Sequence, residues 1–386
     1  MRKTIQDKQR PEGEISDIEL NPKDAPTFNT GTESKVETNA KDEISNFKQT
    51  SKSEISDPFD VVVDPGTDGS KAVSEKSQTT KRILLFVGLT FVLTWAYWFA
   101  VSYPLAQQVS GGLVSSSLLQ LSIAPAMFVP AIAVVLTRLV TREGFKPAYI
   151  LPVKFKKTWK FWLMGYFGPA ILIALGAAVY FLINQSDFSL DSLLLTTQLA
   201  MAGMSDVSDE QIQSIIVAQL GVAILLGPVL NFITAFGEEW GWRGYLFPKL
   251  IERFKILPTL LISGVIWGLW HAPITVLGHN YGTDYWGYPV LGILAMCVFC
   301  IVMGTFLSFI TLRSGSCIPA VFAHGAINAM VNAGLLFSFT GGDPFIGPMP
   351  TGILGGSVFI VCAVVMALLL MRRERKGDSL IVTRDQ

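Results

Sequence analysis

Three groups of polar side chains stand inside apolar stretches where hydrophobic residues are expected: Glu238, Glu239 and Arg243 in Phe236-Gly237-Glu238-Glu239-Trp240-Gly241-Trp242-Arg243-Gly244, His271 in Trp267-Gly268-Leu269-Trp270-His271, and His324 with Asn328. Ionisable groups at membrane depth are costly and mark function by default. Helical spacing separates the two glutamates. Glu239 and Arg243 stand at i and i+4 with the acid on the N-terminal side, the favourable order for an ion pair, and pairing offsets part of the cost of burying either charge. Glu238 then points about 100° away, with no partner expected on its own turn. A carboxylate beside a histidine is the equipment of a general base that activates water. His324 and Asn328, again i and i+4, project from one helix face. Their N–H groups suit stabilisation of an oxyanion, although His and Asn inside membranes also serve as interhelical glue. Of the three histidines, only His279 falls outside these groups, beside Gly278 and Asn280. Ser263 and Ser316 lie near in sequence but have no acid or base at helical spacing, so no serine nucleophile is expected.

The elements that must position these groups follow from composition. The chain has 386 residues, 50% hydrophobic and 16% charged, with 30 basic and 30 acidic residues, and a mean hydropathy of +0.45. That excludes an ordinary soluble domain or a nucleic-acid binder with a basic face. The zero net charge is a cancellation. Residues 1–80 hold 11 Lys/Arg and 16 Asp/Glu, a net of −5, and the remaining 19 basic and 14 acidic residues give +5. The first 80 residues are polar, with Phe28, Phe47 and Phe59 as their aromatic content, and are expected to be disordered. No apolar run follows Met1-Arg2-Lys3, so the first span is expected to direct insertion.

From Lys81 onward, eight apolar runs are long enough to cross roughly 30 Å of hydrocarbon as helices. They lie at about Ile83–Tyr103, Leu118–Val140, Phe161–Ile183, Ile212–Phe236, Leu257–Leu277, Val290–Leu312, Ile318–Phe339 and Ile353–Met371. The expected architecture is therefore an all-α polytopic membrane protein: tail 1–80, first helices and an acidic loop 81–210, a core 211–340 that holds the three polar groups, and a last helix with a basic end 341–386. Lys and Arg collect in alternate connections: Lys146 to Lys160, Lys249 to Lys255, Arg313 and Arg372 to Lys376. The other connections carry acids, as in Asn184–Gln211. By the positive-inside rule both termini are expected in the cytoplasm of a multi-pass protein of the cell membrane. Cys297, Cys300, Cys317 and Cys362 lie within or at the edges of these runs and are expected to pack. Positions 238 and 271 have their midpoint at 254.5, so a hairpin folded near Arg253-Phe254-Lys255 places them at one height, about 24 Å of helix from the turn. This requires the fourth helix to run on toward Lys249, with Pro248, Gly237, Gly241 and Gly244 leaving room for a kink. His324 lies about 16 Å beyond Arg313 by the same rise. One buried chamber, open to the cytoplasm, is expected.

The order and spacing of these motifs resemble the CAAX-protease and bacteriocin-processing (CPBP or Abi) family of intramembrane endopeptidases, over roughly Leu220 to Leu336. Glu238, Glu239 and Arg243 match its Glu-Glu-x-x-x-Arg, Trp267 and His271 its Phe-x-x-x-His with Trp in place of Phe, and His324 and Asn328 its last motif. The resemblance implies peptide-bond hydrolysis in a membrane chamber, Glu238 and His271 activating water, His324 and Asn328 stabilising the oxyanion, and Trp267 forming a pocket wall. It implies a membrane-associated substrate, such as a prenylated CAAX tail or a leader peptide, or alternatively a scaffold or bacteriocin self-immunity protein that binds without cleaving. No nucleic acid is implied. The family has been described both as metalloproteases and as metal-independent. Glu238, His271 and His324 could supply a zinc set with an open position, but that would leave no carboxylate to act as base, since Glu239 is committed to Arg243. Metal-independent water activation is the expectation.

Overall fold

The computed structural model describes residues 69–110, 116–204 and 206–383, so positions 1–68 of the expected tail lie outside the described residues. The remaining tail positions, from Gly69, are helical and extend the first membrane helix. In chain order the α-helices are α1 (Gly69–Tyr97), α2 (Tyr103–Ser110), α3 (Ser116–Ile123), α4 (Val129–Thr141), α5 (Phe155–Ile183), α6 (Leu193–Met201), α7 (Asp209–Leu225), α8 (Gly227–Leu230), α9 (Phe232–Gly241), α10 (Phe247–Ile251), α11 (Ile256–Trp270), α12 (Ala272–Val276), α13 (Val290–Ser314), α14 (Ile318–Met330) and α15 (Ser357–Arg375). Among the described residues there is no strand, and the chain is an all-α polytopic membrane protein. Among the described residues, five helical stretches are long and apolar enough to cross a membrane: Ser74–Val109, Ser117–Thr141, Phe155–Ile183, Val290–Ser314 and Ile318–Phe337. Their outer faces carry large apolar side chains such as Leu84, Leu139, Ile171 and Leu182, each more than half exposed, as lipid-facing positions must.

The other three runs differ from simple spans. The fourth is a series of short helices, α7 to α10. Gly227-Pro228 starts α8, where a proline ring clashes with the preceding turn and removes a backbone donor. A π-helical turn, Trp242–Leu246, joins α9 to α10 and carries the chain past Trp242 to Ile251. α7 itself starts on a capping box in which Ser208 and Gln211 bond each other's backbone N–H. The fifth run stops at Trp270, and Pro273 then opens α12. His271 caps α11 there, its backbone N–H on the Gly268 carbonyl. The eighth is α15, ending in Arg372, Arg373 and Arg375.

α13 is the central post, packed against α5, α11, α14 and α15, while α9 packs on α4 and α14. Two Gly-x-x-x-Gly pairs set the closest approaches, as small residues do between membrane helices. A Cβ on Gly264 would stand 2.5 Å from the Ile301 Cα, and one on Gly268 would collide with Cys297, so α11 and α13 meet backbone to backbone. Gly237 and Gly241 were expected to permit a kink. They instead seat α9 against Met127, Phe128 and Pro130 at the start of α4, where a Cβ would fall 2.5–2.7 Å from those residues.

Each end of the bundle is tied. At the Lys/Arg-rich face Glu143 gathers Arg82 at 2.7 Å, Lys249 at 3.2 Å and Arg138 at 3.6 Å, joining α1, α4 and α10. At the other face Asp187, expected as one acid of a solvated loop, is 5% exposed. Its carboxylate accepts from Tyr180 Oη at 2.9 Å, Ser338 Oγ at 2.7 Å and the Thr340 amide at 2.7 Å. Burial alone would raise its pKa, but the bonds from Thr340, Ser338 and Tyr180 outweigh it and hold the carboxyl below its usual range.

Candidate active site

Glu238 and Glu239 sit on the last turn of α9, 2% and 0% exposed. Glu239 forms the expected pair with Arg243 on the π turn, Oε1 to Nη1 at 2.9 Å. The same oxygen takes His324 Nδ1 from α14 at 2.8 Å, a contact the sequence reading did not include. Arg243 is held on two further sides. Its guanidinium carbon lies 4.2 Å from the centre of the Trp267 ring, and Gly304 on α13 leaves the space its Nη2 occupies, since a Cβ there would stand 2.9 Å away.

Glu238 was expected to have no partner on its own turn, and its carboxylate is held from one turn further on and from a second helix. Its Oε2 accepts from Trp242 Nε1, four residues on, at 3.1 Å, and from Trp267 Nε1 at 2.7 Å. Trp267 is therefore a donor as well as a wall. Its backbone carbonyl accepts from His271 Nδ1 at 2.8 Å. With Nδ1 carrying its proton there, the neutral ring keeps a lone pair on Nε2. One residue thus bonds both Glu238 and His271, which agrees with the common height derived from the hairpin.

Glu238, Trp267, His271, His324 and Asn328 all line a single chamber of about 600 Å³. The four residues expected to do the chemistry are brought together, with Glu239 and Arg243 directly behind them. Three contributions were not expected: Gln120 from α3, His279 with Asn280 from the connection after α12, and Asn332 beyond α14. Only the polar character of these residues could have hinted at a role, because nothing in the spacing says that the 278–282 loop folds over the site. Of the two indole donors, Trp242 could have been suspected from its i, i+4 spacing with Glu238.

The expected opening toward the Lys/Arg-rich turns is not found. No lining residue comes from those turns. Below the glutamates Trp242, Arg243, Tyr245, Leu246, Phe247 and Leu250 are each at most 1% exposed. Exposure instead rises the other way, at Asn328, Asn332, Gln120 and Gly282.

Among the described residues, no three His, Cys, Asp or Glu side chains converge as a metal-ligand set. Glu238 Oε2 already serves two indoles, and His324 Nδ1 is committed to Glu239. Cys300 is buried beside His271, 3.9 Å from Nδ1, and all four cysteines are free.

Residues 220–330 match the family model of the type II CAAX prenyl endopeptidases, Rce1-like. The chain is also similar to CAAX prenyl protease 2 of Methanococcus maripaludis, 29% identical over 100 residues, which is 26% of this chain and 37% of that protein. The similarity thus spans little more than a third of the relative's length. Both matches support the CPBP, CAAX-protease family, and the matched segment contains all the residues from Glu238 to Asn328 described above.

Proposed function

We propose that this protein is an intramembrane endopeptidase that hydrolyses a peptide bond of a membrane-associated substrate by Glu238- and His271-activated water. The observation that carries the reading is the binding of Glu238. Two indole N–H groups fix one carboxylate oxygen while the residue still lines the chamber shared with His271, His324 and Asn328. Such a carboxylate is oriented without being neutralised, which is what a general base needs. Water held between Glu238 and His271 Nε2 gives a proton to the carboxylate as its oxygen attacks the scissile carbonyl. The tetrahedral oxyanion receives hydrogen bonds from Asn328 and from His324. For His324 this requires a ring carrying both protons, with Nδ1 on Glu239 and Nε2–H directed into the chamber, so Glu239 is its counter-ion and positioning partner. The proton on Glu238 passes to the amide nitrogen as the C–N bond breaks, and one water is consumed for one bond cleaved. Each step uses the chain's own side chains, and metal-independent activation is part of the proposal.

The decisive experiment compares wild type with Glu238→Gln and His271→Ala, reconstituted in lipid and presented with membrane peptides whose products are read by mass spectrometry. Loss of every product in both variants, with unchanged folding, is expected. Retained cleavage in Glu238→Gln would overturn the reading. A chelator that abolishes activity, restored by zinc, would overturn its metal-independent part.

A further inference from the structure

Away from the chamber, the Lys/Arg-rich face holds a second cavity, of about 200 Å³, walled by α1, the end of α4, the 143–149 segment, the π turn and α10. It is smaller than the roughly 300–1,000 Å³ of pockets that take whole small molecules, so it suits one compact group. Four cations line it, Arg82, Arg138, Lys146 and Lys249, against two carboxylates, Glu143 and Glu252, an excess of two positive charges. The imbalance is sharpest where burial is deepest. Glu143 alone faces Arg82 at 2.7 Å, Lys249 at 3.2 Å and Arg138 at 3.6 Å, and those three side chains are 21%, 13% and 4% exposed. One acid cannot neutralise three such cations, and a charge taken out of water without a counter-ion is costly. The other acid, Glu252, is exposed and accepts from the Thr79 hydroxyl at 3.0 Å.

Donors remain as well as charge. Arg82 turns Nε to Glu143, and a guanidinium carries five N–H donors. Lys146 is exposed at the rim and takes part in none of the pairs on Glu143. Tyr245 supplies an independent sign of a missing ligand. It is 1% exposed, and its Oη, in the wall of the cavity, has no hydrogen-bond partner among the described residues. A buried hydroxyl left unbonded is unfavourable. Its ring lies 5.1 Å from the Arg138 guanidinium carbon and 4.9 Å from Lys249 Nζ. A small anion in the cavity supplies the charge that the cations lack and the acceptor that this hydroxyl lacks.

The depth of the cavity indicates which anion. Arg82 directly precedes the apolar run that begins at Ile83, and Arg138 stands in the last turn of α4. Their neighbours Leu84 and Leu139 are exposed on the outer face of the bundle. The cations therefore sit where lipid-facing helix gives way to polar chain, at the level of the headgroups, and basic pockets between membrane helices at that level hold anionic headgroups. Phe145, beside Lys146, and Leu151 are exposed apolar side chains on the same segment, suited to rest on a membrane surface. We propose that this cleft binds a phosphate group carried by an anionic lipid of the adjacent leaflet. Arg82, Lys146 and Lys249 receive its charge and Tyr245 Oη donates to a phosphate oxygen, so that the headgroup clasps α1 to α10. The site is independent of the protease reading.

The test uses the full chain, delipidated in a zwitterionic detergent, titrated with phosphatidylglycerol or phosphatidylcholine and followed by native mass spectrometry and thermal unfolding. Saturable retention of phosphatidylglycerol is expected, with an unfolding temperature that rises with its concentration, and no comparable effect of phosphatidylcholine. Lys146→Ala should weaken retention about fivefold, the share of one cation beside an anionic headgroup. Tyr245→Phe should also weaken it, while unfolding without added lipid stays near wild type. Lys156→Ala, on the same basic face but outside the cleft, should change neither. Equal weakening by Lys146→Ala and Lys156→Ala would mean diffuse attraction to the face and overturns the site, as does equal retention of the two lipids. Inorganic phosphate at constant ionic strength forms a second arm. Stabilisation by phosphatidylglycerol alone supports the lipid, whereas equal stabilisation by inorganic phosphate, lost in Lys146→Ala, keeps the phosphate site and overturns the lipid as its source.

Discussion

Glu239→Gln separates charge from hydrogen bonding in the buried triad. Arg243 at 2.9 Å and His324 at 2.8 Å both use Oε1 of Glu239, and Oε2 has no hydrogen-bond partner among the described residues. A glutamine with its carbonyl oxygen in the Oε1 position can therefore keep both bonds and put its amide nitrogen where Oε2 stood. What it loses is the negative charge opposite Arg243, which is 1% exposed. Breaking a buried ion pair by removing one partner costs about 3–5 kcal/mol. The two retained bonds return about 1 kcal/mol or somewhat more, and the contact of Arg243 with Trp267 is present in both states and cancels. The expected loss is about 2–3 kcal/mol, against about 3–5 kcal/mol for Glu239→Ala. Adding Arg243→Met to Glu239→Gln should recover most of it, a coupling of about 2 kcal/mol in a double-mutant cycle. Stability is read by denaturant unfolding in one fixed detergent, and turnover is measured alongside, since His324 loses its counter-ion in both Glu239 variants. If Glu239→Gln matches wild type in stability and turnover, or if the costs of the two substitutions simply add, the argument for a charge-balanced triad fails.

Three further outcomes follow from the geometry. Trp267→Phe restores the family's usual residue and keeps the aromatic face under Arg243, but it removes one donor from Glu238; at about 1.5–3 kcal/mol for a bond to a charged group, kcat should fall about 10- to 100-fold with KM little changed, and an unchanged kcat would show that Trp242 alone orients the carboxylate. Gly304→Ala puts a methyl 2.9 Å from Arg243 Nη2, so activity should drop while Gly88→Ala, on an open helix face, serves as a neutral control; equal activities in the two would mean that Arg243 has slack. The lowered pKa of Asp187 stabilises the fold fully above its unfolded value of about 3.9, and that contribution is lost as pH falls through the lower folded value; hydrogen exchange at the Phe339 and Thr340 amides should therefore accelerate only in strong acid in wild type, but already be fast at neutral pH in Asp187→Ala, and the absence of that difference would refute the lock.

Much of the site could be read from spacing because its pairs are local. Glu239 with Arg243, and His324 with Asn328, are one helical turn apart, and their alignment needs no knowledge of the fold. The hairpin arithmetic that put Glu238 level with His271 used only helix rise. The bridging role of Glu239 was not readable, because His324 reaches it from another helix and only packing decides which oxygen it meets. Trp267 escaped as a donor because it reaches Glu238 from another helix, and Trp at a span position has the same sequence signature whether it packs or donates. The side from which the chamber is lined was not readable for a related reason: depth can be counted along a helix, but packing decides that Gln120, Asn280 and Asn332 reach it. The break of the fourth run is understandable after the fact from Gly227-Pro228, though hydropathy averages across it.

The two Gly-x-x-x-Gly contacts flank the chamber, one seating α9 on the second span and the other seating α11 on α13. Interfaces made of bare backbone have no rotamers to rearrange, so the spacing of these helix pairs is fixed, while Met127, Met296, Met303 and Met349, which line the chamber, can repack. Helix spacing then sets an outer limit on what the chamber holds, and the methionine side chains adjust to the occupant within it. Discrimination between substrates would show a gradual decline with girth up to that limit, and passing it would require changes in helix spacing rather than in the residues that touch the peptide.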